Sequence, residues 1–222
     1  MRRLWLWYLD YWYVAWQQWR ALFIRRVPDA FAHGDRAPVL LVPGVWEPWY
    51  LLRDVARRLN AAGHPVHVAT AIGYNRASVA DVAAVALAYL DERDLTGVVV
   101  VAHSKGGLIG KRLLATPRVD RLVAIATPFS GSVYANYLPG RTLGEFRPTN
   151  ETLLALAADV ASNARIVSIY PSFDPHIPGG SALDGAVNIE IPATGHFRIL
   201  GDERFLRAVE GALESSSPPG VE

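Results

Sequence analysis

The sequence predicts one α/β domain, a mostly parallel, doubly wound sheet with helices on both faces. Three observations carry this. From residue 37 onward, short β-branched runs alternate with segments of helical period. The run Val98-Val99-Val100-Val101-Ala102 is apolar throughout, as a strand covered on both faces must be. The chain has 222 residues, 51% of them apolar, enough for one real core.

Taken in order, residues 37–42 are an apolar run stopped by Pro43-Gly44, and 49–62 read as a helix ended by Gly63. A β-branched strand follows at 65–70 and a helix at 78–90. The strand at 97–102 leads into a helix at 105–115, and 121–126 is the next strand. After an interruption, 166–170 and 186–191 read as two more strands, with a last helix at 202–213. Ligands of such sheets bind beyond the carboxyl ends of the strands.

Composition narrows the function. A net charge of +1 gives no reason to expect nucleic acid. Cysteine is absent, so there is no disulfide framework or thiolate metal site. The six histidines lack the spacing of a zinc-binding helix, and no metal is expected. Gly110-Lys111 follows two glycines but is no phosphate loop: only three residues separate Gly106 from it, and Arg112 stands where Ser or Thr is required.

The chemistry-bearing segment is Ala102-His103-Ser104-Lys105-Gly106-Gly107, where a buried strand turns sharply on a serine and opens a helix. A turn this tight strains the central residue, and Ala102 and Gly106 spare it a clash. The helix starting at Lys105 aims free N–H groups and its positive end at the same spot, which favours an oxyanion. A serine that merely caps a helix is the plainer alternative. Two later segments supply partners. Ser172-Phe173-Asp174-Pro175-His176-Ile177-Pro178 follows one strand, although Asp-Pro also initiates ordinary turns. Thr194-Gly195-His196-Phe197 follows the next.

Together these segments resemble the α/β-hydrolase superfamily, most closely its small bacterial lipases and esterases. The serine turn resembles the Gly-x-Ser-x-Gly nucleophile elbow, with Ala102 in place of the first glycine. The order serine, acid, histidine is also that of the family. The resemblance implies Ser104 as nucleophile, Asp174 as acid and His196 as base. It also implies an oxyanion hole from the amides of Lys105 and Val45, the latter in Leu41-Val42-Pro43-Gly44-Val45-Trp46. Pro43 replaces the usual histidine there, and a Pro-Gly turn that only ends a strand is the alternative. His176 lies too close to Asp174 to be the base. His103 should point away from the serine, and His33, His64 and His67 belong to surface or core.

The activity so implied is hydrolysis of carboxylic esters, lipid or acyl esters included, through an acyl-enzyme and without a cofactor. A thioesterase, acyltransferase or amidase would use the same residues. A catalytically silent, membrane-associated binding module is the rival of another class. Residues 128–163 form an insertion where the family places a cap, opening with Thr127-Pro128-Phe129-Ser130-Gly131-Ser132. Phe146-Arg147-Pro148-Thr149-Asn150 then leads into an apolar helix at 151–160. Trp46, Tyr134, Tyr137, Leu138 and Phe146 are candidate substrate-binding residues, or side chains that pack the cap onto the sheet.

Residues 1–27 lie outside the resemblance, which covers 37–213. At 100° per residue, Trp5, Trp12, Trp16, Trp19 and Phe23 form one narrow stripe, with Asp10, Gln17, Gln18, Arg20 and Arg25 outside it. A membrane surface met through residues 4–24, packing on this domain or in a homodimer, and a transmembrane span are the three alternatives. Asp10 interrupts the apolar region, so a cleaved signal peptide fits less well. The expected location is the cytoplasm, at the inner membrane face if the helix binds lipid. The tail at 214–222 is expected to be disordered.

Overall fold

A computed structural model describes residues 2–24, 26–137 and 139–214. The alternating runs become six strands: β1 (Val39–Val42), β2 (Val66–Val68), β3 (Val98–His103), β4 (Val119–Ile125), β5 (Ile166–Phe173) and β6 (Val187–Thr194). They lie in the order β2-β1-β3-β4-β5-β6 and every pairing is parallel, so the expected doubly wound sheet is the one observed. The chain winds outward from β1 to β2, then passes back over β1 to β3. That reversal opens a crevice at the carboxyl ends of β1 and β3, where Pro43-Gly44 and Ser104 emerge.

β1 and β3 are buried along their whole length. Alternate residues serve opposite layers, as the twofold period of a strand requires. Leu41, Val99 and Val101 meet one layer, which includes residues of α2 (Arg53–Ala61) and of α7 (Glu203–Glu214). Leu40, Val100 and Ala102 meet the other, built by α3 (Val79–Glu92) and α4 (Lys105–Leu113). Ser78 caps α3 by accepting the Asp81 N–H at 3.1 Å.

Boundaries shifted where backbone detail overrides pattern. Behind Pro48, the helix expected at 49–62 begins as a 3₁₀ turn at Trp49–Leu52. β5 runs on through Pro171 to Phe173 because its pairing with β4 ends at Ile169, so the missing proline N–H breaks no bond on that side. The insertion holds a 3₁₀ turn at Val133–Asn136, α5 (Arg141–Gly144) and α6 (Glu151–Ala158), the last capped by Asn150. Phe129, Ala135, Phe146 and Leu153 pin it to the α3–α4 layer.

The N-terminal segment forms α1 (Arg2–Ala21) and lies on the domain, against the turn at Trp49–Leu52 and the 3₁₀ turn at Arg198–Gly201. It docks by the face opposite the aromatic stripe. Asp10, Val14, Gln17 and Ala21 are buried, whereas Trp5, Trp12, Trp16, Trp19 and Phe23 are all at least half exposed. The aromatic stripe therefore does not pack on this domain. Among the described residues no helix is long and apolar enough to cross a membrane. Of the tail expected at 214–222, Glu214 closes α7 and the remainder lies outside the described residues.

α4 packs so closely on the sheet that a Cβ at Gly107 would collide with the buried Thr127 side chain. Gly107→Ala gains about 1 kcal/mol of helix propensity, but overpacking costs about 1–3 kcal/mol. The expected result is a net loss of stability, read as a lower midpoint in thermal or urea unfolding.

Candidate active site

Ser104 occupies the turn between β3 and α4 with φ 52° and ψ −120°, a conformation that L side chains rarely adopt. Its N–H donates to the Ile125 carbonyl at 2.8 Å, which ties the turn to β4. A Cβ at Gly106 would run into the Val42 carbonyl, so only glycine lets the first turn of α4 lie against the end of β1. The strain is thus held by packing on two sides.

Adjacent strands deliver the partners. Asp174 follows β5 and His196 follows β6. Ser104 Oγ lies 3.0 Å from His196 Nε2, and His196 Nδ1–H donates to Asp174 Oδ2 at 2.7 Å. Asp174 Oδ1 accepts the backbone N–H groups of His176 and Ile177 at 2.8 and 3.1 Å. All three side chains are buried. Burial alone would push the His196 imidazole down, but Asp174, then Glu47 and Asp10, reverse this and hold it above the usual histidine range. Burial likewise works to raise Asp174, and the His196 imidazole with the His176 N–H holds it below the usual carboxylate range.

A second buried pair braces the site. His103 Nδ1 is hydrogen-bonded to both carboxylate oxygens of Glu47 at 2.9 Å, and its Nε2 to the His196 carbonyl at 3.0 Å. Glu47 Oε2 also accepts the Gly44 N–H at 2.9 Å. The loop after β1, the serine turn and the histidine loop are therefore joined through one carboxylate and one imidazole. Nothing in the sequence singled out Glu47, a lone acid between Trp46 and Pro48 with no motif around it.

His176 sits beside the site, its ring 4.9 Å from that of His196, and accepts the Tyr11 hydroxyl of α1 on Nε2 at 3.0 Å. Burial first, then His196, push it down to about 3, so it is neutral. Ligand atoms of Asp174, His176 and His196 lie within 4.8 Å of one another, a donor set of the kind that holds a cation. Both nitrogens of His196 are already engaged, so a metal there would compete with Ser104 or Asp174.

The remaining expected residues divide. Val45 follows Gly44 in the loop that Glu47 braces, and Lys105 opens α4, where a helix leaves its first amides without internal acceptors. The Lys105 side chain is buried, bonded to the Ala77 carbonyl and 3.4 Å from Glu145 of the insertion. Trp46 has φ 59° and is half exposed, its carbonyl accepting from Gln18 of α1. Tyr134 lies edge-on to Trp7, which in turn packs on His176. Tyr137 is 85% exposed. Phe146 takes the packing alternative: it is buried in the core among Phe129, Ala135 and Leu153 and packs the insertion down. Leu138 lies outside the described residues.

The chain has the α/β-hydrolase fold. It superposes on the mature lipase BlEst2 of Bacillus licheniformis with a TM-score of 0.59 at 16% identity, covering 82% of this chain and 94% of that one. A monoacylglycerol lipase of Paleococcus ferrophilus gives 0.58 at 16%, over 82% and 97%. An α/β-hydrolase fold protein of Burkholderia ambifaria gives 0.58 at 18%, over 82% and 92%. No protein-family model matches the sequence, and no curated protein matches it.

The pairing of His196 with Asp174 has a direct signature. In NMR titrations of the ring nitrogens, His196 should titrate above the ordinary value of about 6.5. Asp174→Asn removes the largest opposing charge but leaves the burial, so the midpoint should fall relative to the wild type.

Proposed function

We propose that this protein is a serine hydrolase that cleaves carboxylic esters. The observation that carries the reading is the relay from Ser104 through His196 to Asp174, with contacts of 3.0 and 2.7 Å, built on a strained turn at the sheet's switch point. His196 Nε2 takes the proton of Ser104 as Oγ attacks the ester carbonyl, and Asp174 holds the ring and stabilises its charged form. The amides of Val45 and Lys105 receive the oxyanion, each worth about 3–4 kcal/mol to the transition state. Collapse expels the alcohol with the proton from His196, and water then releases the acid from Ser104 by the reverse path. The carbonyl chemistry extends to thioesters and amides, so a substrate panel fixes the leaving group.

A lipid ester is the substrate class that the surroundings favour. Neighbours of the same fold carry the name lipase. The outward face of α1 presents Trp5, Tyr8, Trp12, Trp16 and Trp19, with Phe23 exposed just after the helix, and side chains of this type settle at lipid headgroups. Residues 1–26 hold five arginines and one acid, Asp10, which is buried, so this stretch of sequence is strongly basic. That balance suits an anionic bilayer, and it would place the enzyme at the inner membrane face.

A fluorophosphonate should label the wild type at Ser104, located by mass spectrometry. Ser104→Ala should abolish labelling, and His196→Ala should slow it by about 10²–10⁴-fold. A folded wild type that resists labelling in detergent would point instead to the silent binding module. For the surface, vesicles containing phosphatidylglycerol should bind the protein and shift its tryptophan emission to the blue, with Trp12→Ala and Trp16→Ala each weakening binding about tenfold or more. Indifference to vesicles with a concentration-dependent dimer in sedimentation would assign the face to a second copy.

A further inference from the structure

The carboxylate of Asp10 is wholly buried where α1 meets the histidine loop. Its Oδ2 accepts the His196 N–H at 3.0 Å, and its Oδ1 accepts those of Phe197 and Arg198, each at 3.0 Å. All three donors are consecutive main-chain amides at the entrance of the 3₁₀ turn Arg198–Gly201, so a residue 186 positions away caps that turn as an N-cap side chain would. Gly195 has φ 107°, and a Cβ there would come within 2.5 Å of Asp10 Oδ1. The loop is therefore shaped to admit this carboxylate.

We infer that Asp10 is a positioning residue for the proposed base, and that α1 is thereby part of the active site. The inference rests on the hydrolase reading of Ser104, His196 and Asp174. The peptide of His196 is gripped from both sides, its N–H by Asp10 and its carbonyl by His103, while Asp174 fixes the ring. With the main chain clamped, Nε2 can meet Ser104 only along one line. A carboxylate is an expensive way to dock a helix, since burial disfavours its charge. Among the described residues, the basic side chain within 4 Å of this carboxylate is His176, at 3.7 Å, and that ring is neutral. Val14 and Ala21 already supply apolar docking on the same face, which leaves orientation of the loop as the task specific to Asp10.

The test uses the full chain with Asp10→Ala, Asp10→Asn and, as a docking control, Val14→Ala. A short, soluble ester keeps any lipid surface out of the assay. Asp10→Ala should lower kcat about a hundredfold with KM nearly unchanged, the mark of a misplaced catalytic group. Amides 196–198 should lose protection in hydrogen exchange read by mass spectrometry. Asp10→Asn keeps one acceptor oxygen and should fall between, which also covers the case in which the alanine variant does not fold. Val14→Ala should unfold at lower temperature with kcat and exchange at 196–198 unchanged. Wild-type exchange at those amides in either Asp10 variant, or wild-type kcat after protection is lost, overturns the inference. A wild type that neither hydrolyses esters nor reacts with fluorophosphonate overturns the hydrolase reading and the inference with it. Exchange at 196–198 would then report whether Asp10 still anchors the loop.

Discussion

The structure depends on how closely α4 can approach the ends of β1 and β3. Ser104 is held at φ 52° only because its N–H is fixed on Ile125 and because Gly106 lets the helix lie against the Val42 carbonyl. Such a conformation costs about 1–3 kcal/mol and persists when the surroundings over-determine it. The packing of Gly107 on Thr127 supplies the remaining constraint. A residue with a side chain at either glycine would push the helix away and relax the serine. The strain, the close approach and the aim of the first helical amides are one feature seen from three sides.

Around that turn, the loops after β1, β3, β5 and β6 would each be free to drift, and buried polar groups tie them together. Glu47 joins Gly44 to His103, His103 joins the serine turn to His196, and Asp174 joins the imidazole to the loop after β5. Each link has a carboxylate acceptor or an imidazole partner, and hydrogen bonds to charged groups are worth about 1.5–3 kcal/mol each. Inside a buried site these bonds are also unforgiving, because an unpaired partner keeps its full desolvation cost. Such a network specifies geometry more than it adds stability, which is what a reaction sensitive to an ångström requires.

Much of this was legible in the sequence, because local rules governed it. The Val98-Val99-Val100-Val101-Ala102 run could only be a strand buried on both faces, and the small residues around Ser104 announced a tight turn. Asp174 and His196 stood directly after strands, so the parallel order that predicted the sheet also gathered them at one edge. Glu47 and Asp10 were not legible, since their partners are backbone amides and a histidine that only the fold brings near. Phe146 stayed open for a related reason: an apolar residue in a cap segment looks the same whether it lines a groove or fills the core. The Trp stripe of α1 was visible as a helical period, but periodicity cannot say which face docks.

That inverted docking follows from magnitudes. Three charge-assisted bonds from Asp10, at about 1.5–3 kcal/mol each, offset a desolvation penalty of several kcal/mol per ion, while Val14 and Ala21 add apolar contact. Turning the helix over would bury the tryptophans but strand three amides of the histidine loop. In water the outward aromatics leave unrealised much of the about 1.5–3 kcal/mol that each would gain on burial. A lipid surface can supply that gain without moving Asp10, because the two faces lie about 160° apart around the helix. On the proposed function, binding outward and positioning inward would therefore not compete, and a single helix would join the surface where an ester is met to the histidine that acts on it.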